Sequence, residues 1–173
     1  GPSIPVTPAE IVPFLDDFDP SVRQQAIQAL RNTSDANAVP HLIAHLSDPD
    51  SRVALEAARA LSVIHTPEAL TPLNTIARDE KAYYLLRGAA IQAIGRIGTH
   101  VTVSILFERL AEQDVYIRQQ IIMALPTIHT EDQAERLLQA AEFHRSLVRP
   151  TKDAMIRAGG PAVEAVMMRH LGH

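Results

Sequence analysis

Along this chain an apolar residue recurs with the same pattern behind it: further apolar residues four, seven and eight positions on, with polar residues between. The pattern begins at Val22, Val53, Leu86, Ile117 and Val148, in steps of 31, 33, 31 and 31 residues. Spacing of i, i+4, i+7, i+8 lays one apolar stripe along a helix. Four stripes are complete: Val22, Ala26, Ala29, Leu30; Val53, Ala57, Ala60, Leu61; Leu86, Ala90, Ala93, Ile94; and Ile117, Ile121, Ala124, Leu125. The fifth reads Val148, Lys152, Met155, Ile156, with a lysine interrupting the apolar set. Ala29, Ala60, Ala93 and Ala124 share one equivalent site, where a small side chain lets a neighbouring helix approach. Leucine there is expected to cost about 1–3 kcal/mol through overpacking.

A second, shorter helical pattern precedes each stripe. Val12-Pro13-Phe14-Leu15, Val39-Pro40-His41-Leu42 and Thr71-Pro72-Leu73 place proline early in these first helices, and Val103-Ser104-Ile105-Leu106 is the version without it. Proline is tolerated in a first turn because the N–H it lacks would have had no intrahelical partner. Thr33, Thr66, Thr99 and Thr130 stand just ahead of first helices and are expected to cap them. Acidic turns, Asp16-Asp17-Phe18-Asp19-Pro20 and Ser47-Asp48-Pro49-Asp50-Ser51, join first helices to second. The pattern predicts first helices near 8–17, 35–46, 67–77, 100–111 and 131–142, and second helices near 21–31, 51–64, 84–97, 115–128 and 146–158. A last helix falls near 161–171, after the stop-and-start signal Gly159-Gly160-Pro161.

Helical repeats of this length imply an all-α, right-handed α-solenoid of about five antiparallel helix pairs, each burying its apolar face on its neighbours. The expected organisation is one repeat domain over 8–173, with repeats near 8–32, 33–65, 66–98, 99–129 and 130–158 and the terminal helix at 161–171. Residues 1–7 read as a protease-cleavage scar, Gly1-Pro2, followed by an extended lead-in. The chain is accordingly expected to be a domain cut from a longer protein.

Composition changes this picture little. Hydrophobic residues make up 46% of the chain, aromatics only 4%, and tryptophan is absent, so the core must be built from Ala, Leu, Ile and Val. No stretch approaches the roughly 20 apolar residues that span a bilayer, and membrane insertion is not expected. Cysteine is absent, which excludes disulfides and fits a reducing, cytoplasmic setting. The formal charge of −4 argues against a general electrostatic hold on nucleic acid or acidic lipid.

Ala38-Val39-Pro40-His41-Leu42, Asp19-Pro20-Ser21-Val22-Arg23 and Ala26-Ile27-Gln28-Ala29-Leu30 together resemble the HEAT-like repeat family, in particular its short class named after phycobilin lyases. The second repeat departs, with Ala54 where arginine would stand and Arg52 two places earlier; the fifth carries Pro150 and Lys152. The family includes adaptors, enzyme subunits and nucleic-acid binders. The resemblance implies that Arg23, Arg87, Arg118 and Arg149, each following the leading apolar residue of a second helix, form a structural ladder. Arginine suits that role because one planar fork can bridge several carboxylates or carbonyls.

Arg31, Arg52, Arg59, Arg96, Arg145 and Arg157 also lie in or beside second helices, whose acids are only Glu56 and Asp153. In solenoids of this class the second helices line the concave face, so that face should be neutral to positive. Gln24, Gln28, Arg59, Gln92, Arg96 and Gln119 are the candidate partner-binding residues, with Arg59 and Arg96 foremost.

Candidate chemistry is sparse. His41 and His45 have a spacing that could bind metal, but no cysteine completes a site. No His-Glu pair occurs in the chain, so the iron-binding motif of deoxyhypusine hydroxylase, an enzyme of similar repeats, is absent. No catalytic constellation, metal site or cofactor is expected. The leading expectation is therefore a non-enzymatic scaffold that holds a protein segment, possibly acidic, along the concave face. The alternatives are a nucleic-acid-binding HEAT-like module, an accessory subunit of a bilin lyase-type enzyme, and self-association through the apolar last helix (Val163, Val166, Met167, Met168).

Overall fold

The computed structural model describes residues 6–125 and 128–171. The chain is all-α, built of helix pairs of the α-solenoid type, and it divides into two compact units, Gly1–Ile97 and Gly98–His173.

In the first unit the second helices are α2 (Pro20–Thr33), α4 (Ser51–Val63) and α6 (Tyr84–Ile97). The first helices are α1 (Pro8–Ile11), α3 (Val39–His45) and α5 (Leu70–Arg78). Helix α4 packs between α2 and α6 and also meets α3, while α5 packs on α6. This explains why Val53, Ala54, Leu55, Ala57, Ala58, Ala60 and Leu61 are all buried along α4. Leu30, Leu61 and Ile94, equivalent in the three repeats, are fully buried, as are Ala60 and Ala93. Zero exposure at those alanines means that a neighbouring helix lies directly on the Cβ.

The first repeat differs from the expected helix over 8–17. An α-helical turn ends at Ile11 and a 3-10 stretch, Val12–Asp16, follows. Pro13 supplies the reason, since its ring opposes the carbonyl four residues back and it donates no hydrogen bond. The next two first helices also open with 3-10 turns, Ala36–Ala38 and Pro67–Ala69.

Aspartates of the acidic turns cap the second helices. Asp19, Asp50 and Asp114 accept from the backbone N–H of Ser21 at 2.9 Å, Arg52 at 2.9 Å and Ile117 at 3.0 Å. A carboxylate there satisfies a free N–H and meets the positive end of the helix dipole. Thr99 and Thr130 cap α7 (His100–Arg109) and α9 (Glu131–Ala141), the latter in a reciprocal capping box with Gln133. Thr66 makes no side-chain cap bond. Thr33 closes α2 instead, its hydroxyl donating to the Leu30 carbonyl at 2.7 Å, and Asp35 caps the following turn.

The second unit contains first helices α7 (His100–Arg109) and α9 (Glu131–Ala141), second helices α8 (Val115–Ala124) and α10 (Val148–Ala158), and the last helix α11 (Pro161–Leu171). Helix α8 stops short of the expected 128 because Leu125 precedes a proline, a position that disfavours helical backbone, and it is extended. Helix α10 ends at Gly159, whose φ of +57° is costly for any residue with a Cβ.

The fifth stripe is displaced by one residue from its expected register. Leu147, Thr151, Ala154 and Met155 are buried, while Val148, Lys152 and Ile156 are exposed. The buried four keep the i, i+4, i+7, i+8 spacing but begin at Leu147. One residue is ~100° around a helix, and that rotation moves Lys152 from the core to solvent. An unpaired ammonium is almost never fully buried, so the lysine sets the register.

Helix α11 packs on α9. Val163 and Val166, which suggested self-association, are buried within the chain, whereas Met168 is exposed. Arg169 bridges Glu131 at 3.2 Å and Glu135 at 3.1 Å, and His170 lies 3.0 Å from Glu135. No helix among the described residues is long and apolar enough to cross a membrane.

Candidate functional site

Two sets of arginines separate on geometry. In the first set the guanidinium is turned inward onto a turn. Arg23 meets both oxygens of Asp48 at 3.0 Å through Nε and Nη2, and donates from Nη1 to the Asp17 carbonyl at 2.9 Å and the Phe18 carbonyl at 3.2 Å. It thereby joins the turn of the first repeat to that of the second. Arg87 donates to the Ala77 carbonyl at 3.2 and 2.9 Å. Arg118 donates to the carbonyls of Glu112 at 2.9 Å and Ala140 at 3.2 Å, and lies 4.1 Å over the Phe143 ring. Burial pushes the Arg118 pKa down, and bonds to two carbonyls plus the aromatic face offset that cost.

Arg149 does not join them. It is exposed and has no hydrogen-bond partner among the described residues. The one-residue displacement of α10 is the cause: Arg149 follows Leu147 by two positions, the place held by Gln24 and Gln119, and Val148 takes the position that arginine holds elsewhere.

The second set of polar residues faces outward on the second helices. In the first unit Gln28, Arg59 and Gln92 hold the same position, six residues after the leading apolar residue, on the adjacent helices α2, α4 and α6, and all three are exposed. Asn32, Val63 and Arg96 form the next exposed row one turn on. Gln24 is half-buried. Arg59 is not a bare cation, because its Nη1 lies 3.3 Å from the buried carboxylate of Glu56. Arg96 lies in the last turn of α6, where a cation also meets the negative end of the helix dipole.

In the second unit the same face carries an open cavity of about 410 Å³ between α8 and α10, lined by Gln119, Met123, Arg149, Asp153 and Arg157 among others. Arg157 is anchored there, its Nη2 donating to the carbonyls of Met123 at 3.3 Å and Leu125 at 3.4 Å.

Several residues have roles that the sequence pattern did not reveal. Arg52 pairs with Asp50 at 2.9 Å, and that hydrogen bond lowers the Asp50 pKa to about 2. Arg136 donates to the Phe107 carbonyl at 3.2 Å and ties α9 to α7. The ring nitrogens of His45 lie 2.8 Å from the His41 carbonyl and 3.0 Å from the Leu15 carbonyl, so this side chain links its own turn to the first repeat. Among the described residues no group of three or more His, Asp and Glu side chains is placed to hold a metal ion.

A family model described as HEAT repeats matches residues 8–95, just over half of the chain and all within the first unit. A solved structure of human deoxyhypusine hydroxylase in complex with glycerol is similar at a TM-score of 0.62 and 18% identity, over 96% of this chain and 67% of that one. At this identity the likeness is one of fold. No curated protein matches the chain.

Proposed function

Because this chain belongs to the HEAT-repeat family, we propose that it is a non-enzymatic scaffold that holds a segment of a partner protein on the exposed face of its second helices. The observation that carries the reading is the row Gln28, Arg59, Gln92 on three adjacent helices, with Asn32 and Arg96 a turn away. Long amide and guanidinium side chains at equivalent positions give a rigid surface with adaptable hydrogen-bond donors at fixed intervals. The only carboxylate of α2, α4 and α6 is the buried Glu56, so Arg59 and Arg96 bias that face toward acidic segments. A cytoplasmic setting fits the absence of cysteine.

The test is selection from a displayed random-peptide library. The wild type should enrich peptides rich in Asp and Glu. Arg59→Glu combined with Arg96→Glu should weaken their binding by about tenfold or more, the scale of one lost charge-assisted contact. Arg78→Glu, a charge reversal at an exposed position on the first helix α5, should leave binding unchanged. Equal binding by the double variant, with its fold intact by circular dichroism, overturns the assignment of this face.

A further inference from the structure

We propose that the cavity between α8 and α10 binds a partner peptide through a carboxylate carried beside an apolar side chain. The proposal rests on the partner-binding reading above and gives one part of it a ligand chemistry. It follows from the displaced register of α10. In that register Arg149 leaves the position of the structural arginines, and Arg149 and Arg157 are both exposed, eight residues or about 12 Å apart along the helix. Three counterparts of the expected ladder (Arg23, Arg87 and Arg118) are each fastened to a turn, but Arg149 has no partner among the described residues. It is exposed and lines the cavity.

Arg157 is the converse case, a guanidinium already oriented. Its Nη2 is fixed by the Met123 and Leu125 carbonyls, which leaves Nε and Nη1 for a ligand. A group held this way loses little further freedom when it binds.

The remaining lining selects the ligand. Met123 is 52% exposed and, with Pro150, gives the cavity an apolar wall. A thioether of that kind adapts to varied apolar groups. Asp153 lies between the two arginines, so the lining carries two positive charges and one negative. The net charge of +1 matches one carboxylate better than a dianionic phosphate. The volume, about 410 Å³, lies within the range of sites that enclose small ligands and holds two side chains.

The experiment is an NMR titration of the full chain, following amide, arginine side-chain and methionine methyl signals. The probe is the blocked peptide Leu-Glu-Phe-Ser, compared with Leu-Gln-Phe-Ser, Ser-Glu-Ser-Ser and inorganic phosphate. The first should shift signals of Met123, Arg149 and Arg157, and each of the others should bind about tenfold more weakly or not at all. Arg149→Gln and Met123→Ser change exposed residues, so both should fold, and each should weaken the first peptide by a similar factor. Equal binding of the glutamine peptide, or phosphate binding as tight as the peptide, overturns the site. Shifts at Arg59 and Arg96 with none in α8 and α10 overturn this cavity and leave the wider reading standing. Shifts confined to α8 and α10 support it and remove Arg59 and Arg96 from the face. No shift in either unit overturns both.

Discussion

Replacing Met155 and Ile156 separately by alanine tests the displaced register of α10, on which the freedom of Arg149 depends. By the spacing of the first four repeats Ile156 is the core residue, equivalent to the fully buried Leu30, Leu61 and Ile94. In the structure Met155 is 2% exposed and Ile156 is 72% exposed. Truncating a buried methionine removes its transfer free energy and leaves a cavity, a loss of about 2–5 kcal/mol. Truncating an exposed isoleucine changes stability by about 0.5 kcal/mol or less. Each kcal/mol moves Tm by about 4–8 °C in a domain of 60–100 residues, so the two variants should melt at least roughly 6 °C apart. The assay is urea and thermal unfolding followed by far-ultraviolet circular dichroism. Lys152→Leu gives a third measurement, since the displaced register leaves that site in solvent and predicts almost no stabilisation. Equal or greater loss in Ile156→Ala than in Met155→Ala refutes the register and, with it, the outward placement of Arg149.

Three further outcomes follow from contacts of named groups. Arg118→Ala should lower stability by about 2–4 kcal/mol, because the carbonyls of Glu112 and Ala140 lose their donor and Phe143 its cover; Arg118→Lys should restore less than half, as measured by urea midpoints. The Asp50 carboxyl has a pKa of about 2 in the folded chain against an ordinary 3.8, so the unfolded chain takes up its proton first as acid is added. Its contribution is full above the ordinary value and is lost as pH falls through about 2, and the gap between wild type and Asp50→Asn should close over that window. Hydrogen bonding to His170, aided by the charges of His170 and Arg169, holds the Glu135 pKa below its ordinary 4.5. The same sign applies, so the protection of α11 amides, taken against the intrinsic exchange rate at each pH, should fall as pH drops below 4.5 and should be lower at neutral pH in Glu135→Gln than in the wild type.

The second helices were legible in the sequence because a stripe of small and branched residues at fixed offsets has only one helical reading. Their starts followed within a residue or two wherever an aspartate or proline marked them. The displaced fifth repeat had a signal too. Lys152 at a core position already argued that the stripe should begin at Leu147, but the matching step of 31 residues pointed to Val148. The pairing of Arg59 with Glu56, three residues back on one helix, was equally open to inspection. Contacts that cross between helices were not. Arg157 reaches carbonyls more than thirty residues away, and backbone acceptors carry no mark in the sequence. Which arginine is fastened and which is free therefore depended on packing that only the fold specifies.

The inward arginines also differ in what they are fastened to, and this grades the joints by their response to surroundings. Arg118 donates to amide oxygens, which carry no net charge to be screened by salt. Arg23 depends in addition on the carboxylate of Asp48, whose attraction salt screens. High salt should therefore slacken the first hairpin more than the joint at Arg118, giving the molecule one salt-responsive end.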